Sequence, residues 1–593
     1  MFKSGILRLI FILILIVTGV WLLIQPGNLL PESVGRQQAV QMALAPGGIQ
    51  GESIQFAGET SDRAVAVGKP VVPASVDITA LPSRAAEEDR LKEAYEAGEI
   101  DLGINEGPVS DAAFHALVAE SENQGVDRSV QNYQSPQIGS IATLNSGVNF
   151  KAIDYTQSKQ GVPPDPDIMV GKDHLVVGVN TSVQIFDKTG QSVVGPILYK
   201  DIWEGICATR SSSVVLFDPF SAYDEENNRY ILGITAYDST VNGGWACIAV
   251  SQTSSAVGSY WLYSFDANPG GGDYFLDFPH IGVGQDALYI GANMFGYNFE
   301  RNHIFAFEKD AMYTGEPTSY VKFNVSSSYF TLQPAKLKGY LTGGWPTNAS
   351  EPHYFVDAQW GNNETILTVR KFSDPWGSPS LTIAGTVTVN SYYLPVPQPQ
   401  LGGSDITSND NRLLDVEYWA GKLWATHAVG CNPGSGQVNC IRWYEIDISS
   451  GSPSLVQQGT FAANAQYNSF PDLGVNACGD MLVGYTKTSA STYPSVYVAG
   501  RESGDSPGIL KDETLVHAGE AVYTSFDSTP YRWGDYTGMA LDPDGSTFWH
   551  VGEYSRSQAI ARWSTWVSSH SWPDCNTDPT PGDNLNFLSL IFN

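Results

Sequence analysis

Asp165-Pro-Asp-Ile-Met-Val-Gly-Lys-Asp-His-Leu-Val-Val-Gly-Val179 reads as a turn, a short strand, a tight polar turn and a second apolar strand, which is the pattern of a β-hairpin. The phrase returns with altered letters as Asp277-Phe-Pro-His-Ile-Gly-Val-Gly-Gln-Asp-Ala-Leu-Tyr-Ile-Gly291 and as Phe470-Pro-Asp-Leu-Gly-Val-Asn-Ala-Cys-Gly-Asp-Met-Leu-Val-Gly484. Looser copies begin at Asp218, Gln333, Leu414 and Gly534. A hairpin that recurs in this way cannot bury both faces alone, so the copies must pack on one another. About seven units at spacings of roughly 50 to 80 residues suit four-stranded propeller blades with loops. The expected fold is therefore all-β, a seven-bladed β-propeller, with six or eight blades as alternatives.

Composition points the same way: aromatic residues make up 12% of the chain and charged residues only 16%, favouring strands over long helices. Acidic residues outnumber basic ones 62 to 32, for a formal charge of -30. Such a surface repels phosphate backbones, which argues against nucleic acid as a partner.

Residues 1–25 form the first segment. Leu9 to Ile24 is almost uninterruptedly apolar, with Lys3 and Arg8 before it. The run across residues 5–24 approaches the ~20 residues needed to cross a bilayer. Basic flanks stay in the cytoplasm, so the body should lie outside. No small-residue cleavage site follows closely, which favours a retained transmembrane anchor over a cleaved signal, with secretion as the alternative. Residues 26–147 read as a stalk with two short helices, Ser83–Ala97 and Ser110–Glu120. The helices would either dock on the ring or hold it off the membrane. Residues 148–575 form the propeller and 576–593 an apolar-ended tail. Ring closure needs a strand from one end of the chain to complete the blade made by the other. Ser140-Ile-Ala-Thr-Leu and Phe150-Lys-Ala-Ile-Asp are the candidates at the front, and Ala559 to Val567 is the last strand at the back.

Six cysteines in an exported chain suggest disulfides. Cys431 and Cys440 flank a loop of turn formers, Cys207 and Cys247 fall within one blade, and Cys478 with Cys575 would staple the tail to the ring.

Two groups of side chains are candidates for chemistry. The aspartates opening the repeats, Asp167, Asp218, Asp277 and Asp472, with Asp165 and Asp535, would converge at one end of the channel. There they would offer oxygen ligands to a hard cation such as Ca²⁺. The plainer expectation is that each caps its own turn. Arg532, Trp533, Asp535 and Tyr536, with Arg501 after a neighbouring strand, form the densest recognition-like patch, suited to gripping a carboxylate or stacking on a sugar. A structural Arg532–Asp535 pair pinning a blade corner is the alternative. Zincin, P-loop and α/β-hydrolase motifs are absent from the sequence.

Across roughly Phe150 to Trp572 the chain resembles exported bacterial β-propeller proteins loosely similar to the sialidase and BNR-repeat architecture. The resemblance rests on Asp165–Val177 with Ile185-Phe-Asp-Lys-Thr-Gly190, Asp480-Met-Leu-Val-Gly-Tyr-Thr486 and Arg532-Trp-Gly-Asp-Tyr-Thr-Gly538. It implies shape more than activity: no Arg-Ile-Pro phrase occurs, and the nearest approach to a sialidase box, Asp542-Pro-Asp-Gly-Ser-Thr-Phe-Trp549, has its Asp and Gly adjacent. The expected function is a membrane-tethered extracytoplasmic propeller that binds a glycan, peptide or protein partner at the cell surface through its loop face, without catalysis. A sialidase-like glycoside hydrolase or polysaccharide-cleaving enzyme is the alternative, and a structural surface component the third.

Overall fold

The computed structural model describes residues 66–97, 105–106 and 144–575, apart from residues 160, 208–213, 239–240, 242, 268–274, 296–298, 512, 526–528 and 557–561. The apolar segment 9–24, residues 140–143, the expected helix Ser110–Glu120 and the tail 576–593 lie outside the described residues. Among the described residues, no helix is long and apolar enough to cross a membrane.

Seven antiparallel sheets of four main strands follow one another in chain order. Their innermost strands are Asp167–Val170, Val214–Asp224, Phe275–Val283, Gln333–Pro334, Asp415–Trp419, Tyr467–Val475 and Gly538–Leu541, which open blades 1 to 7. Blade 7 is completed from the other end of the chain. Asn145–Asp154 pairs antiparallel with Trp563–Ser571, setting Phe150 opposite Val567 and Asn149 opposite Ser568. The protein is a seven-bladed propeller closed by its front strand, and of the two closing candidates Phe150–Asp154 lies in that strand.

The recurring X-Pro step is a β-bulge. Asp165, Asp218, Phe278 and Phe470, each followed by proline, have φ near +50°, and the ladder register slips at that step in blades 2, 3 and 6. Proline has no N–H to give a ladder, so a position where pairing is already interrupted accepts it. The glycine near the end of the unit has a packing reason. A Cβ on Gly291 would lie 2.0 Å from the Leu332 carbonyl oxygen, and one on Gly484 2.2 Å from the His550 ring.

Of the two possibilities for the N-terminal region, docking is what residues 66–97 do. Ala66–Val67 pairs with the outer strand of blade 3 and Ala74–Asp77 with that of blade 2, covering edges that would otherwise expose unpaired backbone. Before the helix Glu87–Glu96, Arg84 donates to the Thr156 and Gln157 carbonyls at 3.0 and 2.9 Å. Helix formers fill this segment, but its anchorage comes from Arg84 and from Ser83, whose hydroxyl reaches the Gly195 carbonyl at 3.1 Å.

Cys207–Cys247, Cys431–Cys440 and Cys478–Cys575 are disulfides, the three pairs expected. The last joins the first turn of blade 6 to the chain leaving blade 7.

Candidate functional site

All seven inner strands run the same way along the axis, so the residues that open them collect at one end, here called the mouth. Asp165 and Asp218 lie there, and each reaches a neighbouring blade. Asp165 Oδ1 accepts the Asp535 N–H at 2.7 Å, bridging blades 7 and 1, and Asp218 Oδ2 accepts the Phe278 N–H at 2.9 Å, bridging blades 2 and 3. Asn180 links the two aspartates, donating to Asp165 Oδ2 at 2.7 Å while accepting the Asp218 N–H at 2.7 Å. One tier deeper, Asp167 and Asp472 do both: Oδ1 of each accepts the N–H of its own next residue, Ile168 and Leu473, at 2.8 Å, while Oδ2 takes the Ser221 hydroxyl at 2.7 Å and the Met539 N–H at 3.0 Å from the next blade. The turn-capping expectation thus holds for Asp167 and Asp472, with a bridge to the neighbouring blade added. At Asp165 and Asp218 the bulge, with φ near +50°, turns the side chain sideways to an N–H of another blade.

The middle tier is organised around a residue that the sequence reading did not select. Lys336 follows the two-residue inner strand of blade 4, crosses to pair in parallel with Glu417 of blade 5, and carries its Nζ to 2.8 Å from Asp415 and 3.8 Å from Asp472. Burial disfavours its charge, but Asp415, Asp472, Asp167 and Glu417 outweigh burial and hold the ammonium's pKa above its ordinary value. The Asp415 contact is an ion pair off the hydrogen-bonding direction, since neither Asp415 oxygen has a hydrogen-bond partner. The carboxylates carry the cost: burial, then the charge of Asp415, pushes Asp472 well above its usual value and Glu417 up to about 8. Two small spaces of about 30 and about 20 Å³ flank Lys336 along the axis, each with room for about one or two waters.

This arrangement does not fit the proposed calcium ligands. Asp167 and Asp472 face the Lys336 charge while Asp218 and Asp277 belong to the tier above. Among the described residues, no three of these carboxylates bring oxygens within ligand distance of one another; the one such group is Cys478, Asp480 and Cys575, whose sulfurs are joined as a disulfide.

Both ends of the channel are covered. At the far end, the insertion between Leu337 and His353 touches blade 2 through the Tyr340 N–H to Glu225 at 2.8 Å, blade 3 through Pro346 to Gln285 at 3.1 Å, and blade 5 through Gly344 to Ala420 at 2.8 Å. A loop held by blades on different sides of the ring lies across the axis. At the mouth, the long connections 393–414 and 518–537 bond to each other, Thr407 N–H to Tyr531 O and Tyr531 N–H to Asp405 O, each at 2.9 Å. Beneath them Tyr536 stacks on Phe278 at 4.6 Å, and the Arg412 guanidinium sits 4.2 Å from the Phe278 ring. Arg412 is held by Asp410 through two bonds of 2.9 Å.

Of the expected ligand-binding patch, Arg532, Asp535 and Tyr536 come together at the mouth. Arg532 grips both oxygens of Asp535, and Asn409 donates to the same carboxylate at 2.6 Å. Trp533 is only 1% exposed and packs edge-on against Tyr523 with centroids 4.6 Å apart. It is a core residue joining the blade 6–7 connection to the ring. Arg501 does not join the group. It ends the third strand of blade 6 opposite Met481, at the far end of the channel, where it donates to the Asp505 carbonyl at 2.8 Å and lies over Trp443. Strand direction alternates within a blade, so its nearness to Arg532 in sequence does not survive folding. Glu553, also unselected, lies beside Asp165, Arg532 and Asp535. Burial first, and then the Asp165 charge, holds it well above its usual value.

These carboxyls make stability depend on pH. A carboxyl whose folded pKa is raised keeps a proton that the unfolded chain has released, so stability falls as pH rises through the interval between the two values. Glu417 at about 8 and Asp357 at about 7, both raised chiefly by burial, place part of that interval above neutrality. Burial lowers all eight described histidines, His280, His353, His427 and His550 to about 3 and His570 to about 4, so as pH falls toward about 6.5 the unfolded chain takes up protons that the folded chain refuses, an effect opposite in sign to that of the carboxyls. Comparison with a variant isolates the carboxyl: as pH rises from about 7 to about 9, the wild type should lose melting temperature relative to Glu417→Gln. A difference between the two proteins that stays constant across that range would contradict the assignment.

No family model matches the chain, and no curated protein matches it. Among solved structures it is similar to the WD40 domain of SCAP from fission yeast, at 11% identity over 72% of this chain and 91% of that one with a TM-score of 0.30. It is also similar to a Hadza microbial sialidase, at 10% over 68% and 64% with 0.31, and to an α-L-arabinofuranosidase from Fusarium graminearum, at 8% over 71% and 97% with 0.30. Scores this low carry no functional argument, and the assignment of fold rests on the blades themselves.

Proposed function

We propose that the protein is an extracytoplasmic propeller, tethered by its N-terminal apolar segment, that binds a glycan, peptide or protein partner through its loop face without turning it over. One observation carries this reading: the channel is closed by a loop at one end and by stacked rings at the other, and its carboxylates are committed to neighbouring blades and to Lys336. Recognition is left to the loops around the mouth, where function on such a scaffold resides. Three disulfides suit an oxidising compartment. Incubation of the full-length protein in detergent with a panel of glycosides and acidic polysaccharides tests the reading. Binding without release of reducing ends or unsaturated products is expected. Turnover that disappears in a cooperatively melting Asp535→Ala variant would replace it with catalysis.

A glycoside hydrolase or polysaccharide lyase is the second reading, favoured by two carboxyls at the mouth side of blade 4. Burial pushes both Asp357 and Glu364 up to about 7, and both act on the Tyr392 hydroxyl. A group titrating near neutrality is what general acid chemistry requires. Its mark would be a pH–rate limb near 7 that Glu364→Gln removes.

A further inference from the structure

A row of aromatic rings crosses the mouth side of blades 2 to 4. Tyr237 lies 5.3 Å from Phe275, Phe275 6.1 Å from Phe295, Phe295 5.6 Å from Phe299, Phe299 4.9 Å from Phe330, and Phe330 6.3 Å from Trp360, centroid to centroid. Phe295 is buried and forms the footing, while the other five are half-buried. Their places in the chain explain the alignment. Each stands where an inner strand begins, where a second strand ends or a third begins, or in a connection between strands at the mouth. The row reaches the axis at Phe330, 4.7 Å from the Arg412 guanidinium that also covers Phe278. At its outer end the Trp360 indole N–H has no hydrogen-bond partner, although an indole donor out of water normally finds one.

We propose that this row is the binding site for an uncharged glycan chain lying across the mouth of blades 2 to 4, an inference that rests on the loop-face reading above and names its ligand class. Three observations select that occupant. The strip is one ring wide: five half-buried rings with on the order of 50 Å² free on each expose roughly 250 Å², against about 800 Å² per side for a stable protein interface. The spacing of the rings is comparable with the advance per sugar of an extended glycan, whose C–H faces are drawn to aromatic faces while its hydroxyls stay wet. Charge disfavours the acidic alternatives. Arg412 and Arg532, the guanidiniums set among the rings and carboxylates at the axis, are already paired with Asp410 and Asp535, and with 62 acidic against 32 basic residues the chain carries a formal charge of -30, so an acidic polysaccharide or nucleic acid would be repelled.

The test uses the full-length protein with immobilised neutral hexasaccharides of the glucan, mannan and xylan types, polygalacturonate, and a lysine-rich peptide. At least one neutral hexasaccharide should bind. Trp360→Ala and Phe299→Ala should each weaken it about tenfold, with unchanged near-UV circular dichroism, while Trp376→Ala on the opposite face leaves it intact. Should either variant unfold, protection of the half-buried Trp360 from N-bromosuccinimide oxidation by the bound hexasaccharide, located by peptide mapping, reports the same contact. Neutral glycan binding indifferent to both substitutions, or a preference for the acidic polymer or the peptide, overturns the assignment while leaving loop-face binding intact. Absence of binding to every probe removes both.

Discussion

Replacing Lys336 by methionine should be among the most damaging single substitutions in this protein. The side chain would still fill the channel, but the ammonium now set among Asp415, Asp472, Asp167 and Glu417 would be gone. Removing one partner from a buried ion cluster costs about 3–5 kcal/mol, because the remaining charges stay out of water without compensation. The loss should depend on pH in a direction opposite to an ordinary surface effect. At pH near 5 Asp472, Asp167 and Glu417, all raised by burial, can take up protons and the variant should recover much of its stability, while at pH 8 the deficit should be greatest. Urea unfolding of both proteins at the two pH values measures this directly. An equal deficit at both would mean that Lys336 acts through packing and not through charge.

The second large effect is expected at the closure. Asp154 ends the strand that completes blade 7 and is wholly buried. Its Oδ1 accepts the Thr156 N–H and hydroxyl at 3.0 and 2.6 Å and the Gln157 N–H at 3.1 Å, while Oδ2 meets Lys151 at 2.8 Å and Arg556 at 3.4 Å. The contact with Arg556 ties the first strand of the ring to the last blade. Asp154→Ala takes the acceptor from those buried donors and the carboxylate from Lys151 and Arg556 at once, and should cost about 3–5 kcal/mol. Asp154→Asn keeps an oxygen for the backbone donors and loses the charge, so its cost should be clearly smaller. Equal costs for the two variants would place the importance in the ion pairs alone.

How far these features could be read from the letters depends on how local their causes are. The hairpin phrase is local: Pro166, Pro219, Pro279 and Pro471 mark the bulge, the Gly/Asp/Asn pairs mark the turn, and the blade count follows from repetition. The disulfide between Cys431 and Cys440 is local as well. The destination of each repeated aspartate is not. Asp165 meets the N–H of a residue 370 positions away, because ring closure brings blade 7 beside blade 1. Lys336 is not legible because the inner strand of blade 4 is only Gln333–Pro334 before the chain turns to pair with blade 5, so the repeat is at its weakest where the axial cation enters. Arg501 stands close to Arg532 in sequence, and the alternation of strand direction puts them at opposite ends of the channel. The aromatic row left no mark in the repeat pattern, since its members come from strand ends and from connections in three different blades.

Closure of the ring between the two ends of the chain is the premise for everything at the mouth, and a designed cross-link addresses it most directly. Asn149 and Ser568 face each other across the antiparallel pairing of Asn145–Asp154 with Trp563–Ser571, a separation that a disulfide can span. The double variant Asn149→Cys with Ser568→Cys should oxidise readily, with the 149–568 linkage found by peptide mapping beside the three native disulfides. A double variant carrying free thiols at both positions under the same conditions, with the native three intact, would contradict a closed seven-bladed ring.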